Sequence, residues 1–220
     1  MKKNITNNYE TNVFINCPFD TDFFHQLKTI LYTVVYFGFE PRIALESSDS
    51  GKARLDKIIG LQKSSKYSIH DLSRLRAKTL DDYFRLNMAF ELGLDFGLRE
   101  SSTNLSSKRT LVLESDKYEY MKAISDLNGY DIKSHQDDPE KLILCIKSWF
   151  SETVGLRDLN ATAKIYADYI LFNRNLFDKK VLKYQSTHSA TQAEDFAASE
   201  IKEITMPEFI DEVKYWMRRN

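Results

Sequence analysis

The chain has 220 residues, 42% hydrophobic and 29% charged, with 31 basic against 32 acidic side chains and a net charge of -1. This is enough chain for one principal fold plus an appendage, and the composition excludes a disordered or fibrous protein. Near-neutral charge gives no overall pull toward nucleic acid or an anionic membrane, so any anionic ligand must be held by a local group of residues.

No apolar run approaches the roughly 20 residues of a membrane span. The start MKKNITNNYE is basic but leads into no apolar signal core, so a cytoplasmic protein is expected. Cys17 and Cys145 are too few for a disulfide framework, and neither sits in a Cys/His cluster with metal-ligand spacing; free thiols and no bound metal are expected.

After a polar leader (1–10), Asn12-Val-Phe-Ile-Asn16 reads as a buried strand stopped at Cys17-Pro18. Asp20 caps a helical stretch with Phe23, Phe24, Leu27, Ile30, Leu31, Val34 and Val35 at three- and four-residue steps, ending near Gly38. Pro41–Leu45 is a second strand, and Ser47–Gly51 a capping loop before a helix carrying Leu55, Ile58, Ile59 and Leu61. Tyr67–His70 is the third strand, with Asp71-Leu-Ser-Arg74 just beyond it and a charged insert, Leu75–Tyr83, following. Phe84–Leu98 has helical spacing, Arg109–Leu113 is a fourth strand, Tyr118–Leu127 is helical, and Tyr130–Lys133 is a weaker fifth strand. Pro139 suits the first turn of a helix carrying Leu142, Ile143, Ile146 and Trp149.

Strands alternating with helices imply an α/β, flavodoxin-like domain over residues 11–151, a five-stranded parallel sheet in the order 2-1-3-4-5 flanked by helices. Beyond Ser151 the alternation stops. Ala161–Leu176 and Pro207–Met217 read as helices separated by a polar stretch, Gln185–Glu200, so residues 152–220 form a C-terminal helical appendage. Its apolar faces, Tyr166, Tyr169, Ile170, Phe172 and Leu176 on one helix and Phe209, Ile210, Val213 and Trp216 on the other, must bury against the same chain or a partner.

Ligands of such sheets bind at the carboxyl ends of the strands, near the switch point between the first and third. Asn16, Asp20, Glu46, Asp49, Asp71, Ser73 and Arg74 fall there. In Asn87-Met-Ala-Phe-Glu91-Leu-Gly93 the amide and the carboxyl are four residues apart and share one helical face. Glu91 stands among Met88, Phe90, Leu92 and Leu94, surroundings that raise a carboxyl's pKa, and Gly93 and Gly97 suggest close packing or a cleft. The bland alternative is a solvated helix residue.

Three segments carry a resemblance: Asn12-Val-Phe-Ile-Asn16-Cys-Pro-Phe-Asp20, Ile69-His-Asp71-Leu-Ser73-Arg, and Phe84-Arg-Leu-Asn87-Met-Ala-Phe-Glu91-Leu-Gly93. In order and placement they resemble the nucleoside 2-deoxyribosyltransferases and the bacterial TIR-like domains, flavodoxin-like folds that break N-glycosidic bonds with a glutamate. The resemblance covers about residues 10 to 150. It implies Glu91 as the catalytic carboxylate, with Asp71 or Asn87 holding ribose hydroxyls. It also implies NAD or a nucleotide as substrate with no cofactor required, and a homo-oligomeric role in anti-phage or stress defence, with a second defence protein as a potential partner. The charged insert and the Cys17-Pro18 turn depart from both groups.

The chemistry is coherent, because breaking a ribosyl bond builds positive charge on the anomeric carbon that a carboxylate stabilises or traps. Phosphates would meet the helix start at Ser48–Gly51, with Arg42, Arg54 or Arg74 supplying charge, although each arginine alone also reads as a surface ion pair. His70 reads either as a general acid or as a buried structural histidine; Phe19 either stacks on a base or covers the helix; Cys17 is a bystander thiol. Walker and Gly-x-Gly-x-x-Gly motifs are missing, and Asn16 stands where a receiver domain needs an aspartate. The rival reading is a nucleotide-sensing or scaffolding module that binds without turnover and assembles through its C-terminal helices.

Overall fold

The computed structural model describes residues 8–75 and 86–220; the first seven residues of the leader, and of the charged insert and the expected helix start residues 76–85, lie outside the described residues. Five parallel strands lie in the order β2-β1-β3-β4-β5, the flavodoxin-like arrangement expected from the alternation. β1 (Asn12–Asn16) and β3 (Tyr67–Asp71) are buried at every position, as central strands covered on both faces must be. β2 (Glu40–Ile43) at one edge alternates between half-buried and buried residues. β4 (Arg109–Glu114) pairs with β3 along its length, whereas β5 (Lys133–Ser134) meets β4 only at Leu113 and Glu114.

The Asp20 carboxylate accepts the Phe23 amide at 3.1 Å and starts a 3-10 turn that runs into α1 (Phe24–Tyr36). That helix ends at Gly38, whose φ of +83° is left-handed and favours glycine. α2 (Arg54–Lys63) starts later than the sequence suggests. Ser47–Gly51 is a loop rather than its cap, fastened by Asp49, whose carboxylate accepts the Gly51 amide at 2.9 Å; Ala53, with no side-chain oxygen, occupies the N-cap. β2 likewise stops at Ile43 and passes into a 3-10 turn, Ala44–Glu46.

α3 (Leu86–Ser101) follows β3, and α4 (Pro139–Trp149) follows β5 with Asp138 as N-cap and proline in its first turn. The expected helix over Tyr118–Leu127 is instead two 3-10 turns. The buried Glu114 carboxylate accepts the Tyr118 and Tyr120 amides at 2.7 and 3.2 Å, and Tyr118 is left-handed, so the segment is pinned to the sheet before a helix can propagate.

The chain divides into two compact units, the second running from Asn160 to Asn220. It holds α5 (Thr162–Gln185), α6 (Ala190–Glu203) and α7 (Met206–Met217). α6 lies in the stretch expected to be a polar separator. Ser189 and Gln192 form a capping box, and Ala193 and Ala197 bury one face beside Val181, enough to hold a polar helix on α5. Phe172 of α5 meets Phe209 of α7 edge-on at 5.7 Å, so these two apolar faces cover each other; Ile170, expected on the buried face, is exposed. Among the described residues no helix is long and apolar enough to cross a membrane.

Candidate active site at the strand ends

Glu91 lies on α3 one turn after Asn87, with 6% of its surface exposed. Burial pushes its carboxyl up to about 7, against the opposing pull of Arg54. Asn87 is exposed, in the first turn of α3. Arg54, the first residue of α2, sits over the Phe19 ring at 5.8 Å, and the Gln62 side chain of the same helix donates to the Glu91 carbonyl at 2.7 Å. Thus the turn after β1, the start of α2 and the first half of α3 meet at the carboxyl end of the sheet. The buried Cys17 thiol registers this convergence: burial, then the charges of Asp71, Glu91 and Asp20, hold its pKa well above the usual range, leaving an inert thiol.

Asp71 is the last residue of β3 and fully buried. One carboxylate oxygen accepts the Ser73 amide at 2.9 Å and the other stands 3.1 Å from His135 Nε2. His135 Nδ1 accepts the Asp137 amide at 3.1 Å, which assigns the ring proton to Nε2, so the imidazole donates to Asp71. Burial lowers the His135 pKa, but the Asp71 hydrogen bond and charge outweigh it and the net direction is upward. Ser73 Oγ lies 3.3 Å from the same Nε2. The serine and the carboxylate therefore share one nitrogen, which is not the wiring of a nucleophile triad. Asp71 secures the turn at Ser73 and joins it to the loop after β5.

A second buried network occupies the interior. The Asn16 amide donates to His70 Nδ1 at 3.0 Å and to the Met88 carbonyl at 2.9 Å, while His70 Nε2 lies 3.3 Å from Asp95. Asp95 also accepts Ser68 Oγ at 2.6 Å and pairs with the fully buried Lys108 at 3.0 Å. Burial alone would raise the Asp95 pKa, but His70, Lys108 and Ser68 bring it down to about 2. His70 is therefore a structural histidine, and Asn16 turns into this network rather than toward a ligand.

Several other expected site residues are engaged locally. Glu46 grips Arg42 through two hydrogen bonds of 3.0 and 2.8 Å, which gives that arginine the ion-pair role. Ser48 is exposed, and Asp49 is committed to its loop. Arg74 is left-handed at φ +72°, with a buried Nε that has no partner among the described residues. Gly93 and Gly97 are not at close contacts, because a Cβ on either would meet open space. Phe90 is 55% exposed, whereas Met88 and Leu92 are buried. His135, Asp95 and Lys108 went unnoticed in sequence; of these only Asp95, four residues after Glu91, carried a signal. Among the described residues no group of three or more His, Cys, Asp or Glu is placed to hold a metal ion.

Comparison with protein-family models, with curated proteins and with solved structures finds no match to this chain.

Proposed function

We propose that this protein cleaves an N-glycosidic bond in NAD or a related nucleotide, with Glu91 as the carboxylate that faces the anomeric carbon. The observation that carries the reading is the buried carboxyl at the strand ends, pushed to about 7 by desolvation. The low dielectric that penalises a lone carboxylate strengthens its attraction to a developing ribosyl cation, so the group gains most in the transition state. A nicotinamide leaving group is already cationic before it departs and needs no strong general acid, in keeping with a site whose buried histidines, His70 and His135, are tied to Asp95 and Asp71.

Asn87, exposed one turn before Glu91, supplies an amide for the ribose hydroxyls. Phe19 and Arg54 offer a stacking surface and a positive charge beside the carboxylate. Asp71 acts by positioning the Ser73 turn rather than by touching the sugar. This reading keeps the kinship with TIR-like domains and deoxyribosyltransferases, and with it a cytoplasmic, self-assembling defence role. The test is chromatography of NAD and a panel of nucleosides and nucleotides after incubation with the protein. Free base released by the wild type and lost in Glu91→Gln supports the reading.

The commitment of both Asp71 oxygens and of the Asn16 amide nitrogen to interior bonds favours a second reading, a nucleotide-sensing module that binds in the crevice without turnover. In that case Glu91→Gln leaves function nearly intact.

A further inference from the structure

A second cavity, of about 480 Å3, opens beside the amino-terminal half of β4, at the other end of that strand from Asp71's partner Leu113. Its polar feature is backbone. The Leu113 carbonyl faces β3, where it accepts the Leu72 amide, and the Glu114 carbonyl faces β5, where it accepts the His135 amide. Strand alternation then turns the backbone groups of Thr110 and Val112 to the β5 side as well. β5 pairs only with Leu113 and Glu114, so the N–H and C=O of Thr110 and the N–H of Val112 lie beyond its ladder.

The walls are aromatic. Phe96 and Tyr130 stack at 5.3 Å with an interplanar angle of 17°, Arg99 lies over the Phe96 ring at 5.3 Å, and Trp149 contributes an indole whose buried N–H has no partner among the described residues. Among the described residues the cations of the lining are paired, Arg99 at 2.9 Å with Glu100 and Lys133 at 3.0 Å with Glu152, and Asp131 adds a negative charge. A neutral ligand suits this charge balance better than a phosphate. The edge beyond the ladder is too short to add a strand, but its adjacent donors and acceptor match the edge of one planar heterocycle, and the volume suits a small molecule.

We propose that this cavity binds a neutral heteroaromatic base or its nucleoside, of the adenine type, read by the Thr110 and Val112 backbone and stacked on the Phe96–Tyr130 wall. The site is separate from Glu91, and the proposal stands whether or not the chain is a glycosidase.

Calorimetric titration of the full-length chain with adenine, adenosine and N6,N6-dimethyladenine tests it. The expected result is saturable binding of adenine and adenosine that Tyr130→Ala weakens about tenfold or more. Dimethyladenine, which lacks the exocyclic N6–H donors for the Thr110 carbonyl, should bind more weakly to the wild type, a readout that needs no variant to fold. Lack of saturable binding up to about 10 mM overturns the proposal. So does binding that Tyr130→Ala leaves unchanged.

Discussion

Glu91 and Asp95 lie one turn apart on α3, yet their carboxyls are driven in opposite directions, Glu91 up to about 7 and Asp95 down to about 2. Both are buried. The difference is company: Asp95 is met by His70, Ser68 and Lys108, whereas Glu91 has apolar neighbours and the opposing charge of Arg54. If Glu91 works ionised, kcat/KM for base release rises with pH through an inflection near 7 and levels off above it. A pH–rate profile checks this; a fall across the same interval assigns Glu91 the role of acid.

Stability carries the same signature. A carboxyl whose pKa is higher folded than unfolded favours the folded state at low pH, and that advantage is lost as pH rises from about 4.5 through about 7. Glu91→Gln removes this loss. Chemical unfolding should find the variant about 1–2 kcal/mol more stable than wild type at pH 8, with the gap closing toward pH 5.

The interior network predicts the reverse. Asp95→Asn leaves Lys108 buried without its counter-charge and should cost about 3 kcal/mol at pH 7 in urea unfolding. Because the folded pKa of Asp95 lies below its unfolded value, its contribution is present above about 4 and fades as pH falls toward 2. The double variant Asp95→Asn, Lys108→Met should recover part of the loss.

His135 ties the loop after β5 to Asp71, whose hydrogen bond and charge raise its pKa against the pull of burial. The pairing therefore gains strength below the folded value, at the expense of the Asp137 amide bond that the neutral ring accepts at Nδ1, and weakens as pH rises past it. His135→Ala should cost about 2–3 kcal/mol at pH 6 and less at pH 9 by the same unfolding assay. His135→Gln, which keeps one N–H donor for Asp71, should cost less than His135→Ala at pH 6.

The sheet order was legible because β1, β3 and β4 carry short buried runs and the crossovers through α1, α2 and α3 a helical period, and these are local signals. What failed depended on partners distant in sequence. His135 reaches Asp71 across 64 positions, and nothing near either residue announces the pairing. Asn16 was read as a ligand group from its place at a strand end, but its amide finds His70 and Met88 first. α6 was hidden because a helix lying on a single neighbour needs only Ala193 and Ala197 buried, too little apolar surface to stand out in a polar stretch. Glu91 was visible through the apolar residues on either side of it, and of the two readings of Gly93 and Gly97, close packing or a cleft, the close packing is not there.

The most direct measurement is base release from NAD, nucleosides and nucleotides at pH 8, comparing the wild type with Glu91→Gln of matched circular dichroism. The account predicts release by the wild type and a loss of roughly 100-fold or more in the variant. Equal release by both proteins, or none by the wild type at high protein concentration, would contradict it.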